Sequence, residues 1–84
     1  MLTEILPPDT HHIYLAAFGA PTLRIPVGFA DEASKLLRLY RDRYSLGASA
    51  FKPGCGHIHN SRNLFVGRIS YNGRIWNHRG DLIG

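Results

Sequence analysis

The dipeptide Asn72-Gly73 constrains this chain more than any other feature. Both residues tolerate positive φ, and such a pair between two alternating runs is the strongest short-range signal for a β-hairpin. The runs are Arg68-Ile-Ser-Tyr71 and Arg74-Ile-Trp-Asn77. A two-residue turn would pair Tyr71 with Arg74 and Ile69 with Trp76 on one face. Ser70 would then pair with Ile75, and Arg68 with Asn77, on the other. Upstream, Asn60-Ser61-Arg62-Asn63 marks a second turn. With Ser61 and Arg62 at its centre, His59 opposes Leu64 and Ile58 opposes Phe65. The C-terminal half reads as a three-stranded meander.

This register sorts the side chains. Ile58, Phe65, Ile69, Tyr71 and Trp76 fall on the face expected to meet the core, where Gly67 leaves room for a bulge or a close helix. Cys55, His57, His59, Val66, Arg68, Ser70, Ile75 and Asn77 fall on the other. A slip of one residue would exchange the two sets.

The N-terminal half carries complementary signals. After an apolar start, Leu2 to Leu6, and a polar lead-in of Pro7-Pro8-Asp9 and His11-His12, residues 12 to 18 are rich in apolar and aromatic types. Gly19-Ala20-Pro21 marks a turn. Leu23, Ile25 and Val27 then alternate with Thr22, Arg24 and Pro26, as in a half-buried strand. Proline cannot donate to a ladder, so this strand is expected at a sheet edge. Ala33, Leu36, Leu37, Tyr40 and Tyr44 recur at helical spacing and predict a helix from about Asp31 to Ser45. Ser34, Lys35, Arg38, Arg41 and Asp42 lie opposite. Asp31 and Glu32 sit at the start and Arg41 and Arg43 near the end, in the sense the helix dipole favours. Gly47 is the expected stop, and residues 47 to 56 read as a loop turning at Lys52-Pro53-Gly54. The order is ββ-α-βββ: an α+β domain, residues 1–84, with an antiparallel sheet packed on one principal helix.

Composition narrows the function. With 84 residues the chain cannot form a TIM barrel or a full Rossmann domain. Hydrophobic residues make up 44% and charged residues 19%, which argues against a disordered chain. Lys and Arg number 10 against 6 Asp and Glu, giving a net charge of +4, and Arg dominates the basic set. Arginine's planar fork suits phosphate and carboxylate, so the bias points to a polyanion or an acidic protein surface. A single cysteine, Cys55, forbids an intrachain disulfide and fits a cytoplasmic setting. Met1 to Asp9 lacks the positive start of a signal peptide, and the apolar stretch Ile13–Ala20 is too short to cross a membrane.

Four chemistries can be weighed. Cys55, His57 and His59 alternate, so a strand would offer them on one face as metal ligands. Residues i and i+2 lie about 7 Å apart along a strand and i and i+4 about 13 Å, so all three would need strong curvature to share one ion. A nucleophilic Cys55 would need a base oriented by a carboxylate, and no Asp or Glu is placed beside it; a non-enzymatic protein without a cofactor is expected. Leu64-Phe65-Val66-Gly67 resembles the short strand motif of RNA-recognition domains. There the motif forms the first strand and leads into a helix; here it runs into a hairpin, so that fold is not expected and the aromatics read as core. The arginines remain. Arg62, Arg68, Arg74 and Arg79, with His57 and His59 beside them, would make one face and one end of the meander positive. They are the expected partner-binding residues, giving charge-assisted hydrogen bonds to carboxylate or phosphate.

The Gly47-Ala48-Ser49 loop and the Arg68–Trp76 hairpin resemble small uncharacterised bacterial and mobile-element proteins that end in a similar hairpin. The resemblance covers the last half of the chain and brings no active residues. In size and build the chain is also similar in type to phage- or plasmid-encoded inhibitors such as anti-CRISPR proteins. Those likenesses imply a small regulatory protein that docks on a protein or nucleoprotein complex. Direct, sequence-independent nucleic-acid binding is the alternative, and a metal-binding domain using Cys55, His57 and His59 is a third. Edge strands with Val66 and Ile75 on the outer face would also suit a homodimer.

Overall fold

The computed structural model describes residues 11–28 and 30–84. Leu2–Leu6 and Pro7-Pro8-Asp9 lie outside the described residues. Strands β1 (His11–Leu15) and β2 (Leu23–Val27) form a hairpin and are followed by helix α1 (Ala30–Arg43). A 3-10 turn over Ala48–Ala50 leads to β3 (His57–His59), β4 (Phe65–Ile69) and β5 (Ile75–Asn77). All pairings are antiparallel, and the spatial order is β2-β1-β3-β4-β5. This is the expected ββ-α-βββ order, with the Pro26 strand at an edge.

The helix covers one face of the sheet. It packs against β1, β2, β4 and β5. Ala33, Leu37 and Tyr40 are buried against Ile13, Leu15, Val27, Ile58, Ile69 and Ile75, one or more from every strand. Leu36 and Tyr44 pack at the margin of this core. Ser34, expected on the polar side, is buried instead because its hydroxyl donates to the Gly73 carbonyl at 2.7 Å. Arg41 donates from Nη1 to the Tyr71 carbonyl at 2.9 Å, and the Tyr71 hydroxyl donates to the Leu46 carbonyl at 2.8 Å. Polar contacts thus tie the helix and its exit to the β4–β5 loop. The helix stops two residues earlier than expected. Ser45, at φ 52, takes the left-handed position; Leu46 N–H reaches the Arg41 carbonyl at 2.9 Å and Ser45 N–H the Asp42 carbonyl at 3.3 Å. That double bond pattern closes a helix C-terminus without requiring Gly47.

Both hairpins of the meander are one residue longer in the loop than the sequence suggests. Ser70 N–H bonds the Arg74 carbonyl at 2.9 Å, and Gly73 N–H bonds the Ser70 carbonyl at 2.8 Å. Gly73 has φ +88, while Asn72 does not have positive φ. This is a three-residue loop ending in a left-handed glycine, the next commonest hairpin solution after the two-residue turn. Ile69 therefore pairs with Ile75 and Arg68 with Trp76. The β3–β4 loop repeats the device: Asn63, at φ 65, is the left-handed residue, and Asn60 N–H bonds the Leu64 carbonyl at 3.0 Å. His59 then pairs with Phe65, and an irregularity at Val66 restores Ile58 opposite Gly67.

Several assignments change as a result. Ile75 is buried in the core, not on the outer face. Phe65 and Trp76 leave the expected core set for the outer face, since they pair with His59 and Arg68. Asn77 turns to the helix side opposite Gly67, and Val66 is half-buried at the bulge, so Val66 and Ile75 do not offer the homodimer surface expected of them. Cys55 also leaves the outer set. It lies in a turn ahead of β3, between Gly54 at φ +88 and Gly56 at φ +90, and strand alternation begins only at His57.

The loop geometry makes a direct prediction. A two-residue type I′ turn needs positive φ at both central residues, whereas this loop needs it only at Gly73. Gly73→Ala should lower stability by about 1–2 kcal/mol, the cost of a left-handed non-glycine residue. Asn72→Ala should cost less, because it removes only the 2.8 Å Ser70–Asn72 side-chain bond of an exposed pair. Urea unfolding of the two variants checks this, and equal losses would contradict the loop described.

Candidate functional site

The sheet face away from α1 is not covered by any helix among the described residues. Alternation places His12 and Tyr14 of β1 there, opposite the buried Ile13 and Leu15. Arg24 and Pro26 of β2, His57 and His59 of β3, Phe65 and Arg68 of β4 and Trp76 of β5 join them through the ladder pairs. The strands carry no Asp or Glu. The chain's described carboxylates, Asp31, Glu32, Asp42 and Asp81, lie on the helix or in the turn after β5.

The rings on this face touch in sequence. His12 and His59 stack, with centroids 5.7 Å apart and planes at 20°. Phe65 lies 4.9 Å from His57 and 6.1 Å from His59. On one side of this cluster the Arg68 guanidinium sits 5.0 Å from the Trp76 ring. On the other, the Arg24 guanidinium sits 5.9 Å from the Tyr14 ring. Leu82, bridged to Trp76 by the C-terminal segment, extends the surface past β5 and is itself exposed. Phe65 is 39% exposed, a large value for a strand phenylalanine whose neighbours bury their aliphatic side chains. The buried His12 Nε2 and Trp76 Nε1 both lack a hydrogen-bond partner, and both belong to side chains of this face.

The electrostatics follow from crowding. Burial, reinforced by the positive charge of Arg24, His59 and His11, lowers the pKa of His12 below its ordinary 6.5. Burial also lowers that of His57, with His59 and Arg68 adding to it. Both imidazoles are therefore held toward the neutral form, which presents a donor, an acceptor and a flat ring. Cys55 takes no part. Its Sγ accepts from Ala16 N–H at 3.4 Å, and burial pushes its pKa up, the reverse of what a nucleophilic thiol requires. Among the described residues no three His, Cys, Asp or Glu side chains converge as a metal-binding group.

Of the expected partner-binding residues, the fold brings His57, His59 and Arg68 together on the open face. Arg62 lies exposed in the β3–β4 loop, where Asn60 Oδ1 accepts from its backbone N–H at 2.9 Å. Arg79 lies exposed in the turn after β5, and because β5 runs antiparallel to β4 that turn is at the same end of the sheet as Arg62. Arg74 is at the opposite end, in the β4–β5 loop. Sequence reasoning missed His12, Tyr14, Phe65 and Trp76 as surface residues. For β1 the signal was present, since His12 and Tyr14 alternate with Ile13 and Leu15. For Phe65 and Trp76 it was overridden by the expectation that aromatics mark the core.

Comparison with family models, with curated proteins and with solved structures found no match. The open face offers flat rings, two arginines and three histidines, His12, His57 and His59, unopposed by any strand carboxylate.

The lowered histidine pKa values predict a pH effect on the free protein. A histidine with a lower pKa folded than unfolded binds fewer protons in the folded state between the two values. Stability then falls as pH drops below about 6.5 and levels off beneath the folded pKa. Thermal melts from pH 7.5 to 5 should show this decline, and a His12→Gln, His57→Gln double variant should flatten it.

Proposed function

We propose that the open sheet face binds nucleic acid with little sequence preference. The observation that carries this reading is the placement of Arg24 and Arg68 over the half-buried Tyr14 and Trp76 rings, with Phe65 exposed on the same face, on strands without a carboxylate. Arginine contacts phosphate by charge-assisted, forked hydrogen bonds. Rings accept bases of any identity, because every base has a π-face. A protein or nucleoprotein partner, the expectation raised by the type-level likeness to small inhibitors, would draw on the same cations. The adjoining ring cluster favours nucleic acid, since an acidic protein surface supplies charge but few planar groups to match it. Arg62 and Arg79, at one end of the sheet, extend the positive field toward a backbone leaving the face.

The test is anisotropy of labelled DNA and RNA oligomers over a salt series. Affinity should fall linearly with salt on a log–log plot, with a slope of about −0.7 per phosphate contact for single strands and −0.9 for duplex. An Arg24→Ala, Arg68→Ala double variant should lose up to about two contacts from that slope. Lys35→Ala, on the exposed side of α1, should not change it. Trp76 is the only tryptophan, and Arg68 lies over its ring, so its emission should change on binding. Absence of binding at about 50 mM salt would overturn this reading and hand the positive surface to a protein partner.

A further inference from the structure

We infer that the face takes unpaired bases: the ligand is a single strand, with bases stacked on Phe65 and Tyr14 while Arg68 and Arg24 hold the adjoining phosphates. This rests on the nucleic-acid reading above and narrows it to a substrate class.

The shape of the site favours a single strand over a duplex. Proteins that read a duplex insert a helix, a ribbon or an arm into a groove about 12 Å or 6 Å wide, or lay a sheet on a minor groove that they bend open with apolar wedges. The two arginines and the rings lie on the flat of a five-stranded sheet, not on a projection. Among the described residues three hairpin loops close the sheet; the β1–β2 loop carries no arginine or lysine, and the other two belong to the meander. These two point to opposite ends of the sheet, with Arg62 in one and Arg74 in the other, so no one groove can hold both. In a duplex each base is covered above and below by its neighbours, and ring stacking needs bases that are splayed out.

The ring positions suit such a strand. Phe65 is exposed at the mouth of the histidine cluster, with His57 and His59 against it. Those contacts hold the ring in place, and its exposed part is left for a base. Tyr14 is half-buried, lies close to Gly54 and has the Arg24 guanidinium over its ring at 5.9 Å, so a base stacks there by displacing or sandwiching that cation. Its strand, β1, is separated from β4 by β3 alone, and the register sets Phe65 two residues along from Tyr14, so the backbones of the two platforms are about 12 Å apart. That separation is larger than the 3.4 Å step of stacked duplex bases and calls for an extended backbone. Arg24 on β2 and Arg68 on β4 lie in one row of the sheet with Tyr14 between them, and Phe65 is on the same strand as Arg68, so the nucleic-acid strand crosses the sheet from β2 toward β4.

The experiment compares one labelled 15-mer as a single strand and as a duplex with its complement, at matched salt, with the full chain. The single strand should bind at least about tenfold tighter, and its affinity extrapolated to 1 M salt should stay measurable, since stacking does not depend on released counterions. Phe65→Leu keeps an apolar side chain and removes the ring. It should weaken single-strand binding at least about fivefold while leaving the salt slope unchanged. Tyr14→Phe keeps the ring and should bind as the parent does, whereas Tyr14→Leu should not. Thermal melts confirm that each variant is folded at the assay temperature, and Tyr14→Phe supplies the informative comparison if Tyr14→Leu is not. Equal affinity for both forms, with Phe65→Leu silent and the arginine double variant weakened, would overturn the single-strand inference and leave nucleic-acid binding standing. Absence of binding to either form would overturn both.

Discussion

In a β-strand the side-chain period is two, so the loop between two strands decides which residues pair and also which of them meet the core. In the β4–β5 hairpin that decision rests on Gly73. Its left-handed backbone closes a three-residue loop, brings Ile75 opposite Ile69 under the helix and turns Trp76 outward beside Arg68. Asn63 plays the same part between β3 and β4 and sends Phe65 outward beside His59. Asparagine is among the few non-glycine residues that adopt this conformation at modest cost. The aromatic content of the open face thus depends on two backbone positions, neither of which is on that face.

The helix secures the choice. Ser34 donates to the Gly73 carbonyl and Arg41 to that of Tyr71, so α1 holds the loop at both its first and its last residue. A two-residue turn would move these carbonyls and leave the buried Ser34 hydroxyl unpaired, at a cost of about 1–3 kcal/mol. Gly67 makes the matching demand inside the sheet. A Cβ there would come within 2.6 Å of the Trp76 carbonyl oxygen, so β4 and β5 approach as only a glycine permits. The sheet's edges are blunted by other means. Pro26 sits in β2, and the C-terminal segment covers β5 through bonds from Ile83 N–H to the Ile75 carbonyl and from Ile75 N–H to that of Gly84. What remains accessible on the sheet is its open face.

Element order and type were legible in the sequence because they rest on strong local signals: the alternation of Leu23, Ile25 and Val27, the helical spacing of Ala33, Leu37 and Tyr40, and the turn at Asn72-Gly73. The faces of the meander were not. Asn-Gly specifies a tight turn, but the two-residue and three-residue loops both use a glycine at its second position, and they differ by one residue of register. The tie is broken by a contact distant in sequence, between the helix and the loop, which no local pattern displays. The arginine reading had the same boundary. Arg68, His57 and His59 were found together because strand alternation alone groups them. Arg74 was set apart because the hairpin reverses between it and Arg62.

The open face carries positive charge that nothing on the described sheet offsets. Arg24 beside Tyr14 and Arg68 beside Trp76 gain from the rings, yet each also lowers the pKa of a nearby imidazole, Arg24 that of His12 and Arg68 that of His57. Burial, with the arginine charges adding to it, thus holds His12 and His57 toward the neutral form. An anion laid across the arginines would offset their repulsion of a proton at His12 and His57, though not the burial that contributes most. In the free protein the same protons are destabilising. The ligand that suits the surface is one that supplies negative charge beside the arginines and a flat surface beside the rings, and a nucleotide joins both in one repeating unit.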